Sequence, residues 1–273
     1  MIRVLFLGDI VGATGRAVFA KHIAAVRKQY AVDAVIVNGE NSSNVGRGIT
    51  PTIMKFFIDH SVDVVTSGNH IWYRREIYSY LNEHQNLLRP ANFPQGAPGV
   101  GVTIFTVKGH QIGIINLQGR IFMREHVEDP MRAVDSILTY LKDKTKTVFV
   151  DFHAEATSEK MAMAFYLDGR VSGVMGTHTH IQTADERILP GGTAYITDLG
   201  MAGSLNSMLG MQKEPIINHF LTQLPVKFNV DTEAPYIMCG VCIEVDPATG
   251  KAHKIERIRV IDNEFLSIGN DKD

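Results

Sequence analysis

Short apolar runs alternate with helical patterns along most of the chain, and this alternation limits the folds it can adopt. The runs predict buried strands over residues 3–7, 33–37, 62–66, 102–107, 111–116, 147–152 and 171–175. The intervening patterns predict helices over residues 14–30, 51–60, 74–81, 130–142 and 157–167, with Thr50 as an N-cap before Pro51. Nearly continuous apolar strands separated by helices are typical of parallel sheets covered by helices on their faces.

The C-terminal part of the chain has a different pattern. Residues 194–197, 237–245 and 253–260 are strand-like with few helices between them, and residues 248–250 form a plausible hairpin turn. One parallel sheet does not account for this β-rich end, so we expect two packed sheets with helices outside. The 273 residues contain no repeat or linker, and we expect residues 1–273 to form a single domain.

Composition excludes several classes of protein. Hydrophobic residues make up 45%, charged residues 21%, and the net charge is −2, so no global field favours nucleic acid or membranes. We expect no stable nucleic-acid binding, no membrane association and a cytoplasmic location, since we find no targeting or spanning segment.

Cys239 and Cys242 form a C-x-x-C spacing inside a strand-like run. They would lie on opposite faces of that strand, which favours buried structural cysteines over a zinc or redox site.

Polar side chains with metal-binding chemistry follow five of the predicted strands. They are Asp9, then Glu40 and Asn41, then Asn69 and His70, then His153, then His178 and His180. Ligands of open α/β sheets bind outside the carboxyl ends of the strands, so these side chains would converge if the strands are parallel. His178 and His180 would point to the same face of an extended chain. A single such residue would indicate a turn, a cap or a core histidine, but the repetition indicates a site with oxygen and nitrogen ligands for two ions.

Five ordered motifs resemble those of the calcineurin-like metallophosphoesterases, and more narrowly their bacterial YmdB-type branch. They read GDIVGATGR (8–16), VNGENSSNVGRGIT (37–50), TSGNHIW (66–72), DFHAEATSEK (151–160) and GTHTHIQTAD (176–185). Two positions depart from the broader superfamily: Val11 stands where a histidine is usual, and Glu40 stands where an aspartate is usual. The YmdB-type branch shares the Glu-Asn pair at 40–41, so the departures support the narrower placement.

The resemblance implies a fold and a ligand set. The fold would be a four-layer α/β/β/α sandwich, with two mixed sheets flanked by helices. One ion would be held by Asp9, Glu40, Asn41 and His180, and the other by Glu40, Asn69, His153 and His178. Glu40 would bridge the ions, which would be iron or manganese, with zinc a further candidate. His70 would face the substrate as the catalytic side chain, and the chain would self-associate as a homo-oligomer.

The activity that the resemblance implies is hydrolysis of small phosphodiesters, most of all 2′,3′-cyclic nucleotides. A hydroxide shared by two ions would attack phosphorus, and His70 would protonate the leaving oxygen or hydrogen-bond the phosphate. Asp151 or Glu155 could orient an imidazole, and Asn44 or Arg47 could contact substrate. Trp72 could form part of the pocket wall, pack in the core or stack on a base.

The alternative function is that of a non-catalytic regulator that senses a nucleotide or a metal on the same fold. A dinucleotide-binding module is disfavoured because Gly8, Gly12 and Gly15 do not match the G-x-G-x-x-G spacing.

Overall fold

Two six-stranded sheets form the centre of the molecule, which a computed structural model describes for residues 1–264 and 266. The first sheet contains, in spatial order, β12 (Ala252–Asp262), β11 (Tyr236–Val245), β10 (Met201–Ser204), β1 (Ile2–Ile10), β2 (Ala34–Asn38) and β3 (Val64–Thr66). The second contains β4 (Val102–Val107), β5 (His110–Gln118), β6 (Thr147–His153), β7 (Gly173–Thr177), β9 (Ala194–Ile196) and β8 (Arg187–Ile188). Both sheets are mixed, with a parallel centre formed by β10-β1-β2-β3 in one and β5-β6-β7-β9 in the other.

Helices cover the outer face of each sheet. The first sheet packs against α1 (Gly12–Tyr30), α2 (Pro51–Asp59) and α3 (Ile77–Glu83), and the second packs against α4 (Pro130–Leu141) and α5 (Thr157–Leu167). A further helix, α6 (Lys213–Thr222), contributes no residue to the hydrophobic clusters that these helices form with the sheets. Leu5 and Leu7 of β1 pack in the cluster that includes Phe19 of α1, whereas Phe6 packs between the sheets. The Phe6 ring lies 5.2 Å from that of Phe149 on β6, measured between centroids. Because alternate side chains of one strand enter different layers, the apolar runs produce the predicted four-layer α/β/β/α sandwich.

Several boundaries differ from the sequence-based expectation. The helix predicted over residues 74–81 begins at Ile77, after a 3₁₀ turn over Ile71–Tyr73. β7 is shifted two residues towards the C-terminus, and β8, β10 and α6 were not predicted. β8 and β10 are too short to give a periodic signal. Pro215 obscures α6, although it lies in the first helical turn, where a backbone N–H has no intrahelical partner in any case.

Other local predictions are confirmed. Thr50 Oγ1 accepts a hydrogen bond from the Ile53 backbone N–H, 3.3 Å away, and caps α2. Cys239 and Cys242 lie on β11 in two different hydrophobic clusters, so they face opposite sides of the sheet. Burial raises the pKa of both thiols to about 11, which leaves them protonated and unreactive at neutral pH. Among the described residues, no helix is both long enough and apolar enough to cross a membrane.

Candidate metal centre

The predicted site residues come together where the two sheets meet at the carboxyl ends of their parallel strands. From the first sheet come Asp9 near the end of β1, Glu40 and Asn41 after β2, and Asn69 and His70 after β3. From the second sheet come His153, the last residue of β6, and His178 and His180 after β7. The five strand ends therefore belong to two facing sheets, and the site lies between them.

One imidazole nitrogen is the meeting point of four of these side chains. His153 Nε2 lies 3.1 Å from Glu40 Oε1, 3.1 Å from Asn69 Oδ1 and 3.0 Å from His178 Nδ1. Glu40, His153 and His178 each have an atom that could ligate a metal, and these three atoms lie within 4.8 Å of one another. Burial lowers the pKa of His153 and of His178 to about 3, so both imidazoles are neutral at pH 7. A neutral imidazole is the form that binds a metal ion.

Hydrogen bonds behind the site fix which nitrogen of each histidine carries its proton. Thr177 Oγ1 donates to Asp151 Oδ1 over 2.7 Å, so it must accept from His153 Nδ1, 2.9 Å away. Glu155 Oε2 lies 3.0 Å from His178 Nε2, and a carboxylate there requires the proton on Nε2. We expected one of two carboxylates to orient an imidazole, and both are placed to do so, Asp151 through Thr177 and Glu155 directly.

These tautomers leave lone pairs pointing at one another. His153 Nε2 and His178 Nδ1 have no proton to share, and the oxygens of Glu40 and Asn69 that face His153 are acceptors only. Four acceptors converging in a buried space repel each other. A cation between them converts that repulsion into coordination, so the donor set fits a metal ion.

Asp9 and His180 lie together beside the first group of ligand atoms, and Asn41 directly follows Glu40 in the chain. His180 Nε2 lies 3.7 Å from Asp9 Oδ1, while Nδ1 of the same ring donates to the Leu209 carbonyl oxygen over 3.0 Å. Asn41 Nδ2 donates to the Gly46 carbonyl oxygen. Within the described part of the chain, the buried oxygens Asp9 Oδ1 and Asn41 Oδ1 have no hydrogen-bond partner. An unpaired buried acceptor costs about 1–3 kcal/mol, and a cation between these groups would remove that cost.

The electrostatic environment of Asp9 also favours a bound cation. Burial, followed by the repulsion of Glu40, raises the pKa of Asp9 well above its usual value. A nearby positive charge would favour the ionised form of Asp9 in this buried space.

His178 and His180 adopt backbone conformations that differ from our expectation. The expectation that the chain is extended through both residues is wrong, because β7 ends at Thr177 and φ is +101° at His178 and +65° at His180. Left-handed backbone is uncommon for residues other than glycine. The turn is held by Asp198, whose Oδ2 accepts hydrogen bonds from Thr179 N over 3.0 Å and from Thr179 Oγ1 over 2.7 Å.

Asp198 is the residue that the sequence reasoning missed. It follows the predicted strand 194–197 directly, so the rule that found the other site residues would also have found it. Its Oδ2 forms a buried ion pair with Lys160 Nζ of α5 at 2.7 Å, and both side chains are essentially inaccessible to solvent. The pair neutralises the carboxylate that shapes the histidine turn.

His70 borders the site on the side of an open cavity of about 510 Å³. Its backbone N–H donates to Glu40 Oε2 over 3.1 Å, and its side chain lines the cavity together with Asn69 and His178. Burial lowers the pKa of His70, and the negative charge of Glu40 opposes that effect. His70 therefore belongs to the wall of the cavity that a substrate would enter.

Two mixed sheets packed face to face, with histidine, asparagine and carboxylate groups at their strand ends, define the metallophosphoesterase fold. A family described as "YmdB-like protein" matches residues 5–258. The chain belongs to this YmdB-like family. It is 46% identical over 265 residues to a Bacillus subtilis (strain 168) protein named 2′,3′-cyclic-nucleotide 2′-phosphodiesterase, covering 97% of this chain and 99% of that protein.

Solved structures agree with this placement. A structure described as a novel phosphatase from Mycoplasma pneumoniae is 34% identical, with a TM-score of 0.90, and the match covers 96% of this chain and 94% of that one. A putative 5′-nucleotidase from Staphylococcus aureus is similar in fold alone, with a TM-score of 0.59 at 16% identity, over 98% of this chain and 56% of that one. The predicted family and fold are therefore confirmed.

Removing Lys160 tests the ion pair behind the histidine turn. We expect Lys160→Met to lower the free energy of unfolding of the metal-free protein by about 3–5 kcal/mol, because Asp198 is left as an unpaired buried charge. The measurement is urea denaturation in the presence of a chelator. Lys55→Met is the matched control, since Lys55 forms an exposed helical ion pair with Asp59 and should change stability by less than about 1 kcal/mol. Equal stability of the two variants would contradict the assignment.

Proposed function

We propose that this chain is a metal-dependent phosphodiesterase that hydrolyses small phosphodiesters, with 2′,3′-cyclic nucleotides as its substrate class. The observation that carries the proposal is the convergence of unprotonated donor atoms from Glu40, Asn69, His153 and His178 beside an open cavity. The named activity of the Bacillus subtilis relative supports the choice of substrate class. Both sheets contribute to the site, which supports the proposal that one domain carries the activity.

Two ions would occupy the two groups of donors. Asp9, Asn41 and His180 would hold the first, and Asn69, His153 and His178 would hold the second. Glu40 would serve both. The donors are oxygen and neutral nitrogen without thiolate, which suits iron or manganese, with zinc a further candidate.

When bound, the ions would lower the pKa of a water molecule and offset the charge that develops on the phosphoryl oxygens. In the overall reaction water adds to phosphorus, the bond from phosphorus to O2′ breaks, and O2′ gains a proton to give a 3′-nucleotide. His70 is placed to hydrogen-bond the phosphate or to supply the proton for O2′. Asp151, Thr177 and Glu155 keep the facing nitrogens of His153 and His178 unprotonated.

The expected activity can be measured on purified protein. We expect two transition-metal ions per chain by elemental analysis, turnover of 2′,3′-cyclic AMP to 3′-AMP, and loss of turnover after treatment with a chelator. Restoring the metal should restore turnover. The competing hypothesis, a non-catalytic sensor, is not favoured by the named activities of the relatives. Tight nucleotide binding by the metal-loaded protein with no turnover would nevertheless establish it and refute the enzyme.

Replacing His70 separates catalysis from metal binding. We expect His70→Ala to keep both ions and to lower kcat by about 10²–10⁴-fold, the range for loss of a general acid or base. Elemental analysis and steady-state kinetics on the same sample check both parts. His110→Ala is the control, because His110 is exposed at the start of β5, and it should leave kcat unchanged. Normal turnover by His70→Ala would show that this histidine has no catalytic role.

Replacing His178 and His180 tests whether the two histidines bind different metal ions. We expect His178→Ala and His180→Ala each to lower the metal content from two ions to about one, because each contacts a different group of donors. The double variant His178→Ala/His180→Ala should lose both ions. Asn41→Ala/His180→Ala should retain one ion, because both residues would serve the same ion. Loss of both ions from either single variant would contradict the division.

A further inference from the structure

Aromatic residues line the cavity beside the candidate metal centre together with the site residues. Asn69, His70 and His178 contribute to the lining, and so do Tyr73 and Phe122, which are not among the predicted ligands. The cavity volume of about 510 Å³ lies within the range of roughly 300–1,000 Å³ that is usual for small-molecule sites. A phosphate held near Glu40 would occupy only part of this space.

Phe122 is the unusual residue of this cavity. Its side chain is 86% exposed, although burial of a phenylalanine contributes about 1.5–3 kcal/mol to folding. Its backbone φ is +62°, a conformation that bulky residues rarely adopt. Neither local backbone preference nor burial in the core accounts for a phenylalanine at this position.

The segment that carries Phe122 is held in place by hydrogen bonds. The Glu159 carboxylate accepts from the backbone N–H of Arg120 at 2.9 Å and of Ile121 at 3.2 Å. Gln118 Nε2, before Phe122 in the chain, donates to Glu125 Oε2, after it, over 3.1 Å. The backbone just before Phe122 is therefore anchored to α5, and the side chains that flank the segment are joined, while the ring is exposed at the cavity.

Trp72 contributes to the cavity wall in a different way. Its ring packs edge-on against Tyr78 at 5.7 Å and Phe93 at 5.4 Å, measured between ring centroids. The Trp72 carbonyl oxygen also accepts a hydrogen bond from Tyr78 Oη. These contacts assign Trp72 to the wall. Of the two other aromatic residues that line the cavity, Phe122 is 86% exposed and Tyr73 is 55% exposed, so Phe122 presents the larger free surface.

We infer that Phe122 determines specificity by stacking on the base of a nucleoside cyclic phosphate whose phosphate lies at the metal centre. This inference rests on the proposed function and extends it to the rest of the substrate. The phenylalanine ring has no hydrogen-bond donor or charge to offer a phosphate, but it stacks on any nucleobase because every base has a π-face. The site therefore favours substrates with a base, whether purine or pyrimidine, over phosphodiesters without one.

A pair of substrates tests this role. We compare 2′,3′-cyclic AMP with methyl riboside 2′,3′-cyclic phosphate, which has the same reacting phosphate and no base. For Phe122→Ala we expect KM for cyclic AMP to rise about tenfold, in line with the loss of one stacking contact, with kcat within about twofold of wild type. The kinetics on the compound without a base should not change, and Phe122→Tyr should retain the wild-type KM.

Ile121→Ala is the matched control, because Ile121 is a neighbouring exposed apolar residue that does not line this cavity. It should leave KM for both substrates unchanged. An equal change of KM on both substrates in Phe122→Ala, or no change on either, would overturn the inference. The same holds if Ile121→Ala reproduces the effect of Phe122→Ala.

Binding provides a readout that does not depend on turnover. Trp72 is the single tryptophan of the chain and lines the same cavity, so its fluorescence reports occupancy. We expect cyclic AMP to quench it at about tenfold lower concentration in the wild type than in Phe122→Ala. If the wild type binds both compounds without hydrolysing them, the proposed function fails, and the fluorescence titration still decides whether Phe122 recognises the base. Equal affinity of wild type and Phe122→Ala for cyclic AMP would refute the stacking role.

Discussion

Burial of carboxylates between two sheets is the constraint on which this structure depends. Asp9, Glu40, Asp151 and Asp198 all lie where solvent does not reach, and a buried charge without compensation is strongly destabilising. Asp151 is compensated by hydrogen bonds from Thr66, Thr177 and Asn38, although burial still raises its pKa to about 6. Asp198 is compensated by Lys160. The chain provides no comparable partner for Asp9 Oδ1 within its described part, and a cation bound at this end of the site would supply one.

Hydrogen bonds also decide which nitrogen of each histidine in the site carries a proton. Each of the three imidazoles in the centre is held from behind by an acceptor: Thr177 Oγ1 for His153, Glu155 Oε2 for His178 and the Leu209 carbonyl for His180. These contacts place the protons away from the centre, so the nitrogens that face it have free lone pairs. Lys160 and Asp198 take part in the same preparation, because they hold the left-handed turn that aims His178 and His180. Stability and function are therefore coupled through residues that do not themselves face the cavity.

Much of the site could be read from the sequence because strand ends carry local information. Apolar runs indicate where strands end, and polar residues placed there in five successive cases point to a shared site without knowledge of the fold. The same rule applied to Asp198 would have completed the set. The paths of β8, β10 and α6 could not be predicted, because two are very short strands and the third contains Pro215 in its first turn. These elements acquire their structure from packing and pairing with neighbours that are distant in sequence.

The sequence by itself determined the layers, the strand ends and the identity of the donor groups, because hydrophobic periodicity and side-chain chemistry are local properties. The tertiary structure decided how those donors are grouped, since Asp9 and Glu40 come from one sheet and His153 and His178 from the other. It also decided the conformation of the GTHTH segment, which leaves the extended region at His178 because Asp198, which follows β9, binds Thr179. The position of the exposed Phe122 ring was likewise decided by the tertiary structure. Its position beside the metal centre depends on Glu159 of α5, and no local pattern in the sequence contains that contact.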